Sequence, residues 1–114
     1  MLPTAIVLFI IAAVFGLITL VAILKNSPTS RSTVLMHGAV AAAGLLIVLF
    51  AVVQAAGPAP VTSLVLFLIA AAGGFILFAV DMRKKPVPKW LALLHPVLAV
   101  LGLVSLVIFV LTHS

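Results

Sequence analysis

The sequence predicts an all-α integral membrane protein, with residues 1–114 forming a single domain, a bundle of four transmembrane helices. Of the 114 residues, 67% are hydrophobic and 6% are charged, and a soluble domain of this size could not bury so much apolar surface. The apolar residues fall into four runs separated by short loops. Each run has roughly 21–23 residues, or about 32 Å of helix, which spans a hydrocarbon core of about 30 Å.

The first half of the chain predicts two helices. The first extends from about Thr4 to Leu24, since Pro3 stands at the start of the run, where a helix tolerates proline best. Asn26-Ser27-Pro28 then interrupts the chain. The second helix extends from about Ser32 to Gln54, with Ser32 or Thr33 as its N-cap.

The second half predicts two more helices. A tight turn, Gly57-Pro58-Ala59-Pro60, precedes a helix from about Val61 to Met82. A basic loop, residues 83–89, leads to the last helix, from about Trp90 to Thr112. Trp90 lies where an interfacial anchor is expected. Short connections predict an up-down-up-down bundle.

The charges predict the orientation in the membrane. All six Lys and Arg residues lie in the first and third loops, so we expect these loops in the cytoplasm and both termini outside a bacterial-type inner membrane. This distribution explains the net charge of +5 better than nucleic-acid binding does. Asp81, the only acid, is expected to be a solvated charge at a helix end, and catalysis by paired carboxylates is excluded.

The second half of the chain repeats the first at an offset of 58 residues. Histidines, glycines, loop prolines and loop charges carry the match, because apolar residues coincide by chance in such runs. The pairs include Gly16 with Gly74, Lys25 with Arg83, Pro28 with Pro86, Arg31 with Lys89, His37 with His95, and Gly44 with Gly102. The match predicts tandem helical hairpins, about 1–56 and 59–114, related by a pseudo-two-fold axis along the membrane normal.

Such an axis places His37 and His95 at equal depth, facing each other. A histidine is costly in hydrocarbon, so an intramembrane histidine indicates a functional site. Each histidine is followed on its helix face by an alanine after four residues and a glycine after seven: Ala41 and Gly44, and Ala99 and Gly102. An imidazole beside missing side-chain bulk suits a flat macrocycle between helices, and we therefore predict axial ligation of one haem b.

The sequence also suggests which residues contact this haem and its histidine ligands. Arg31 and Lys89 lie on the histidine-bearing helices and are expected to contact the propionates. A ligating histidine usually donates its other N–H to an acceptor. Thr19 is one candidate for that acceptor, and a backbone carbonyl near Thr33 or Leu91 is another. Cysteine is absent, which excludes c-type haem attachment and iron–sulfur clusters.

The arrangement resembles the membrane b-type cytochromes of the cytochrome b561 type. The resemblance covers the four spans, the paired histidines and the glycines Gly16, Gly44, Gly74 and Gly102. It implies electron transfer rather than a stand-alone enzymatic activity, with a quinone or a redox protein as partner. Those cytochromes often hold two haems, but the other side of this bundle offers only His113, which we expect to be a solvated tail residue.

Other functions stay open at this stage. The histidines could instead hydrogen-bond neighbouring helices and help to assemble the bundle, as in an accessory subunit without a cofactor. Four short spans are also similar to small multidrug resistance exporters, although these use a membrane glutamate in the first helix and this chain has no glutamate. The sequence also leaves open a homodimer in the lipid bilayer.

Overall fold

The computed structural model describes residues 1–113. It contains four α-helices, α1 (Leu2–Leu24), α2 (Arg31–Gln54), α3 (Val61–Met82) and α4 (Lys89–His113). Each helix is long and apolar enough to cross a membrane, so the predicted all-helical class with four apolar candidate spans is confirmed. The expected helix bounds agree with the observed ones to within two residues.

α1 and α3 end in the same backbone motif. Asn26 and Lys84 follow these helices with positive φ angles of 55° and 54°. The N–H of Ser27 donates to the carbonyl of Ala22 at 2.8 Å, and the N–H of Lys85 donates to that of Val80 at 3.2 Å. This is the Schellman termination of a helix, which satisfies carbonyls that have no partner within the helix.

α2 starts one residue earlier than the sequence predicted. Its N-cap is Ser30, in an extended conformation, and the Ser30 hydroxyl accepts from the N–H of Thr33. The expectation of a cap at Ser32 or Thr33 was therefore wrong. Ser30 takes this position because the helix already includes Arg31, which makes Thr33 the third helical residue and thus the usual donor to a cap.

The helices form an elongated bundle of 45 × 21 × 19 Å. α1 packs mainly along α2, and α3 packs mainly along α4, with smaller contacts between α1 and α4 and between α2 and α3. Over residues 1–113 the backbones of the diagonal pairs, α1 with α3 and α2 with α4, stay apart. These diagonal helices meet only through side chains at the centre.

The buried core occupies one half of the bundle. It consists of Ala5, Phe9, Val48, Leu64, Phe67 and Leu106. Phe9 of α1 and Phe67 of α3 stack across the centre, with ring centroids 4.0 Å apart and an interplanar angle of 9°. Large apolar side chains cover the outer faces of all the helices, as expected of surfaces that face lipid.

The opposite end carries the loops at residues 25–30 and 83–88, and we call it the basic end. Here the Thr29 hydroxyl donates to Asp81 Oδ2 at 2.5 Å. This bond joins the loop after α1 to the last turn of α3. Asp81 is half-buried, so it is tied into the loop structure rather than being the freely solvated charge that the sequence suggested.

Candidate functional site

The two intramembrane histidines meet at the centre of the bundle. His37 extends from α2 and His95 from α4, and their ring centroids are 6.0 Å apart with an interplanar angle of 82°. Both side chains are half-buried. The structure therefore brings together the two residues that the sequence selected as metal ligands.

Each imidazole is fixed by a hydrogen bond to a neighbouring helix. His37 Nδ1 lies 2.7 Å from the carbonyl oxygen of Ala12 in α1, and His95 Nδ1 lies 2.7 Å from that of Ala70 in α3. A carbonyl oxygen can only accept, so each Nδ1 carries the proton and donates it. The neutral imidazole then has its lone pair on Nε2, which is the form of histidine that binds metal ions.

These acceptors differ from the ones that the sequence suggested. Thr19 does not accept from His37, because Nδ1 of His37 lies on the carbonyl of Ala12 instead; the Thr19 hydroxyl donates to the carbonyl of Phe15 in its own helix. Nor do the carbonyls near Thr33 and Leu91, on the histidine-bearing helices, take part. The acceptor carbonyls lie on the helix packed alongside, since an imidazole aimed at the bundle centre reaches the neighbouring backbone first.

Gly16 and Gly74 make this approach to the backbone feasible. A Cβ added at Gly16 would lie 3.0 Å from Cε1 of His37, and one added at Gly74 would lie 3.0 Å from Cε1 of His95. Each glycine follows the acceptor alanine by four residues. In a helix the side chain at that position leans back over the preceding turn, so its absence opens the carbonyl to the imidazole.

Gly44 and Gly102 receive phenyl rings rather than imidazoles. A Cβ added at Gly44 would lie 3.1 Å from the Phe9 ring, and one added at Gly102 would lie 3.0 Å from the Phe67 ring. The space that the sequence assigned to a cofactor edge is therefore filled here by the stacked phenylalanines. This layer lies seven residues beyond the histidines, or about 10 Å further from the basic end.

The remaining predicted site residues lie around the pair without contacting it. Ala41 and Ala99 are half-buried, one helical turn beyond the histidines. Arg31 is exposed, and its Nη2 lies 3.9 Å from Sδ of Met82. Lys89 is exposed at the first position of α4. In this structure, neither cation hydrogen-bonds to the histidines.

The donor set fits a haem better than it fits a bare metal ion. No group of three or more His, Cys, Asp or Glu residues within residues 1–113 could hold a metal ion, so a closed zinc or copper site lacks ligands. A porphyrin fills the equatorial positions of its iron and leaves the axial ones to the protein. His37 and His95 would be the protein ligands of such a group, and their ring centroids lie 6.0 Å apart.

The region around the pair contains few buried side chains. Between the pair and the basic end, Ala92 is the only fully buried residue among those the structure describes. Every fully buried side-chain nitrogen or oxygen in residues 1–113 has a hydrogen-bond partner. The Nε2 atoms have none. Neither Nε2 atom is therefore enclosed by the core.

Sequence reasoning missed the backbone acceptors and the phenylalanine stack. A signal was present for both, because Ala12 and Ala70, and Phe9 and Phe67, recur at the same 58-residue offset as the glycines that they accompany. Comparison with known proteins finds no matching family, no similar characterised protein and no similar solved structure. The functional assignment therefore depends on this geometry.

Proposed function

We propose that this chain is a membrane b-type cytochrome that holds one haem b through His37 and His95 and transfers electrons. One observation carries the proposal: two imidazoles face each other with each Nδ1 fixed on a carbonyl and each Nε2 left to bind iron. Metal-ligating histidines commonly donate their other N–H to a carbonyl in this way, which fixes the ring and raises the basicity of the ligand nitrogen.

Ligation by two histidines favours a particular chemistry. Haem iron supplies one-electron redox chemistry when it is bound. If both imidazoles bound the iron, no position on it would be left open to oxygen. His37 and His95 would hold the iron between helices whose side chains are predominantly apolar. The chain would act as an electron carrier rather than as a stand-alone enzyme.

The proposal includes an up-down-up-down arrangement of tandem hairpins. The contacts between α1 and α2 support opposite helix directions, because Gly16 faces His37 whereas the earlier residue Phe9 faces the later residue Gly44. The same contacts recur in α3 and α4, where Gly74 faces His95 and Phe67 faces Gly102. Each contact is displaced by 58 residues from its counterpart, as duplication of a hairpin predicts.

The charges support the proposed placement in a bacterial-type inner membrane. With the basic end in the cytoplasm, both termini lie outside. A haem between the histidines and the basic end would have Arg31 and Lys89 as the cations for its propionates. Besides the lipid bilayer, the proposed partners are a quinone or a redox protein, and a homodimer is compatible with the apolar outer faces.

A cofactor-free membrane subunit is the second candidate, and the same hydrogen bonds favour it. The bonds from His37 to Ala12 and from His95 to Ala70 each join two helices. Interhelical hydrogen bonds of this kind contribute on average about 0.6 kcal/mol in a membrane. The histidines would then stabilise each hairpin through these hydrogen bonds and bind no cofactor.

An absorption experiment separates these two functions. The detergent-purified chain is expressed with haem supply, and its reduced-minus-oxidised spectrum is recorded beside that of His37→Asn and His95→Asn variants. Asparagine can place an amide N–H near the position of Nδ1, so it can still donate to the carbonyl, but it has no counterpart of Nε2. His113→Asn is the matched control, since His113 is exposed near the end of α4.

We expect sharp low-spin b-type bands from the wild type and from His113→Asn. Each of the other asparagine variants should lose these bands while keeping the helical circular dichroism of the wild type and the thermal stability of the haem-free wild type. A colourless wild type that also refuses added hemin would overturn the haem proposal and leave the histidines as helix fasteners. Retention of low-spin bands in both His37→Asn and His95→Asn would also overturn it.

A further inference from the structure

We propose that the basic end contains a binding cleft for a phosphate group, the headgroup phosphate of an anionic phospholipid in particular. A cleft of about 480 Å³ lies between the loop after α1 and the end of α3, within the usual size range of ligand pockets. Arg31, Lys84 and Lys85 contribute to its lining. The inference rests on the cleft rather than on haem binding, and it shares only Arg31 with the residues proposed to contact the propionates.

The lining combines positive charge with neutral hydrogen-bonding groups. Besides the three cations, the polar side chains of Asn26, Ser27 and Thr29 line the cleft. Arginine and lysine bind phosphate oxygens through charge-assisted hydrogen bonds. Asn26 and Lys84 sit in the tight turns that end α1 and α3, so these turns fix the backbone of both loops that line the cleft.

Asp81 is the one acid in the lining, and the structure restrains it. Its Oδ2 accepts a hydrogen bond from the Thr29 hydroxyl. With three cations and one carboxylate, the lining carries a net positive charge of two. The carboxylate opposes an anion by like-charge repulsion, so its removal should strengthen binding.

The position in the bundle favours a lipid as the source of the phosphate. Arg31 is the first residue of α2 and Met82 is the last residue of α3, so the cleft lies where the apolar spans end. Phospholipid headgroups meet a membrane protein at this level, and basic pockets there bind anionic headgroups. Met82 adds an apolar contact to the lining, toward the side from which acyl chains approach.

The six cations of the chain provide a matched control. Arg31, Lys84 and Lys85 line the cleft, whereas Lys25, Arg83 and Lys89 are absent from its lining. Each set takes one cation from the first loop region and two from the second. A cleft variant, Arg31→Gln with Lys84→Gln and Lys85→Gln, therefore removes as much charge as a control variant, Lys25→Gln with Arg83→Gln and Lys89→Gln.

The test measures lipid and phosphate binding to the full chain. Native mass spectrometry of the purified protein counts bound phosphatidylglycerol and, separately, bound phosphatidylcholine at equal concentrations. Calorimetric titration with inorganic phosphate and with glycerophosphate forms the soluble arm. We expect the wild type to prefer phosphatidylglycerol, and the cleft variant to bind it about tenfold more weakly. The control variant should stay within about threefold of the wild type, because diffuse surface charge is screened.

Each outcome is decisive. Cleft-dependent binding of phosphatidylglycerol supports the lipid source, and strengthened binding by Asp81→Asn supports the placement of the carboxylate in the same site. Cleft-dependent binding of the soluble phosphates alone supports a phosphate site but refutes the lipid source. The proposal would be overturned if the cleft and control variants lost the same amount of phosphatidylglycerol affinity. It would also be overturned if the wild type neither preferred phosphatidylglycerol nor bound the soluble phosphates.

Discussion

Replacing Gly74 by alanine tests the central contact of the site. The added Cβ would lie 3.0 Å from Cε1 of His95 and 3.5 Å from both ring nitrogens. The imidazole cannot retreat freely, because its Nδ1 is held 2.7 Å from the carbonyl of Ala70 in the same helix as Gly74. The variant must either lengthen that hydrogen bond or compress the contact.

The adjacent glycine supplies the control. At Gly73 an added Cβ would meet only Cδ1 of Leu91, at 3.9 Å, an ordinary van der Waals contact. Both substitutions replace a helical glycine by alanine and gain up to about 1 kcal/mol of helix propensity. The difference between the variants therefore isolates the contact with the imidazole.

The expected difference follows from the two ways of relieving the contact. If the imidazole withdraws, the loss is that of one interhelical hydrogen bond, about 0.6 kcal/mol in a membrane. If it stays, overpacking costs about 1–3 kcal/mol. We therefore expect Gly74→Ala to be less stable than Gly73→Ala by between about 0.6 and about 3 kcal/mol.

Reversible unfolding in mixed detergent–SDS micelles, followed by far-ultraviolet circular dichroism, measures this difference in the free energy of unfolding. Gly16→Ala should behave like Gly74→Ala, because its Cβ would also lie 3.0 Å from an imidazole carbon. Equal stability of Gly74→Ala and Gly73→Ala would refute the reasoning, since the imidazole would then have no need of the space at Gly74.

Two further predictions concern the frame around the site. Lys84→Gly should raise the free energy of unfolding by about 1 kcal/mol, because Lys84 has a φ of 54°, which glycine adopts without strain. The control is Lys85→Gly, which should give no stabilisation in the same unfolding assay. A double-mutant cycle of Phe9→Leu and Phe67→Leu should give a coupling energy of about 0.5–1.5 kcal/mol, because the two rings stack. If the losses of unfolding free energy in the two single variants simply add up in the double variant, the rings do not interact.

The helix bounds were predictable because hydropathy and loop-forming residues mark them directly. Pro3, Asn26-Ser27-Pro28 and Gly57-Pro58 bracket runs whose length matches a membrane. The meeting of His37 with His95 was predictable too, since a repeat places equivalent residues about a common axis. A sequence repeat with a chemically distinctive residue therefore carries three-dimensional information even without homologues.

The partners of the histidines were not predictable in the same way. Every residue has a backbone carbonyl, so side-chain identity does not reveal that Ala12 and Ala70 are the acceptors. The repeat pairs Phe9 with Phe67 and gives Phe15 and Phe75 no phenylalanine counterpart, but it does not reveal that the paired rings stack across the centre. These contacts depend on helix rotation and crossing, which the close approach at glycines determines.

Under the proposed function, the hydrogen bonds of the two Nδ1 atoms would also set the order of folding and haem uptake. A buried N–H without a partner is rarer in proteins than an acceptor without one, and the carbonyls of Ala12 and Ala70 satisfy the donors of both imidazoles. In each imidazole only the acceptor nitrogen, Nε2, is then without a partner. The bundle therefore needs no metal ion in order to fold around its histidines. Structural zinc sites behave differently, because there the metal supplies the folding free energy. Haem would therefore enter a bundle that is already folded, and its ligands would already be oriented by the hydrogen bonds that hold each hairpin together.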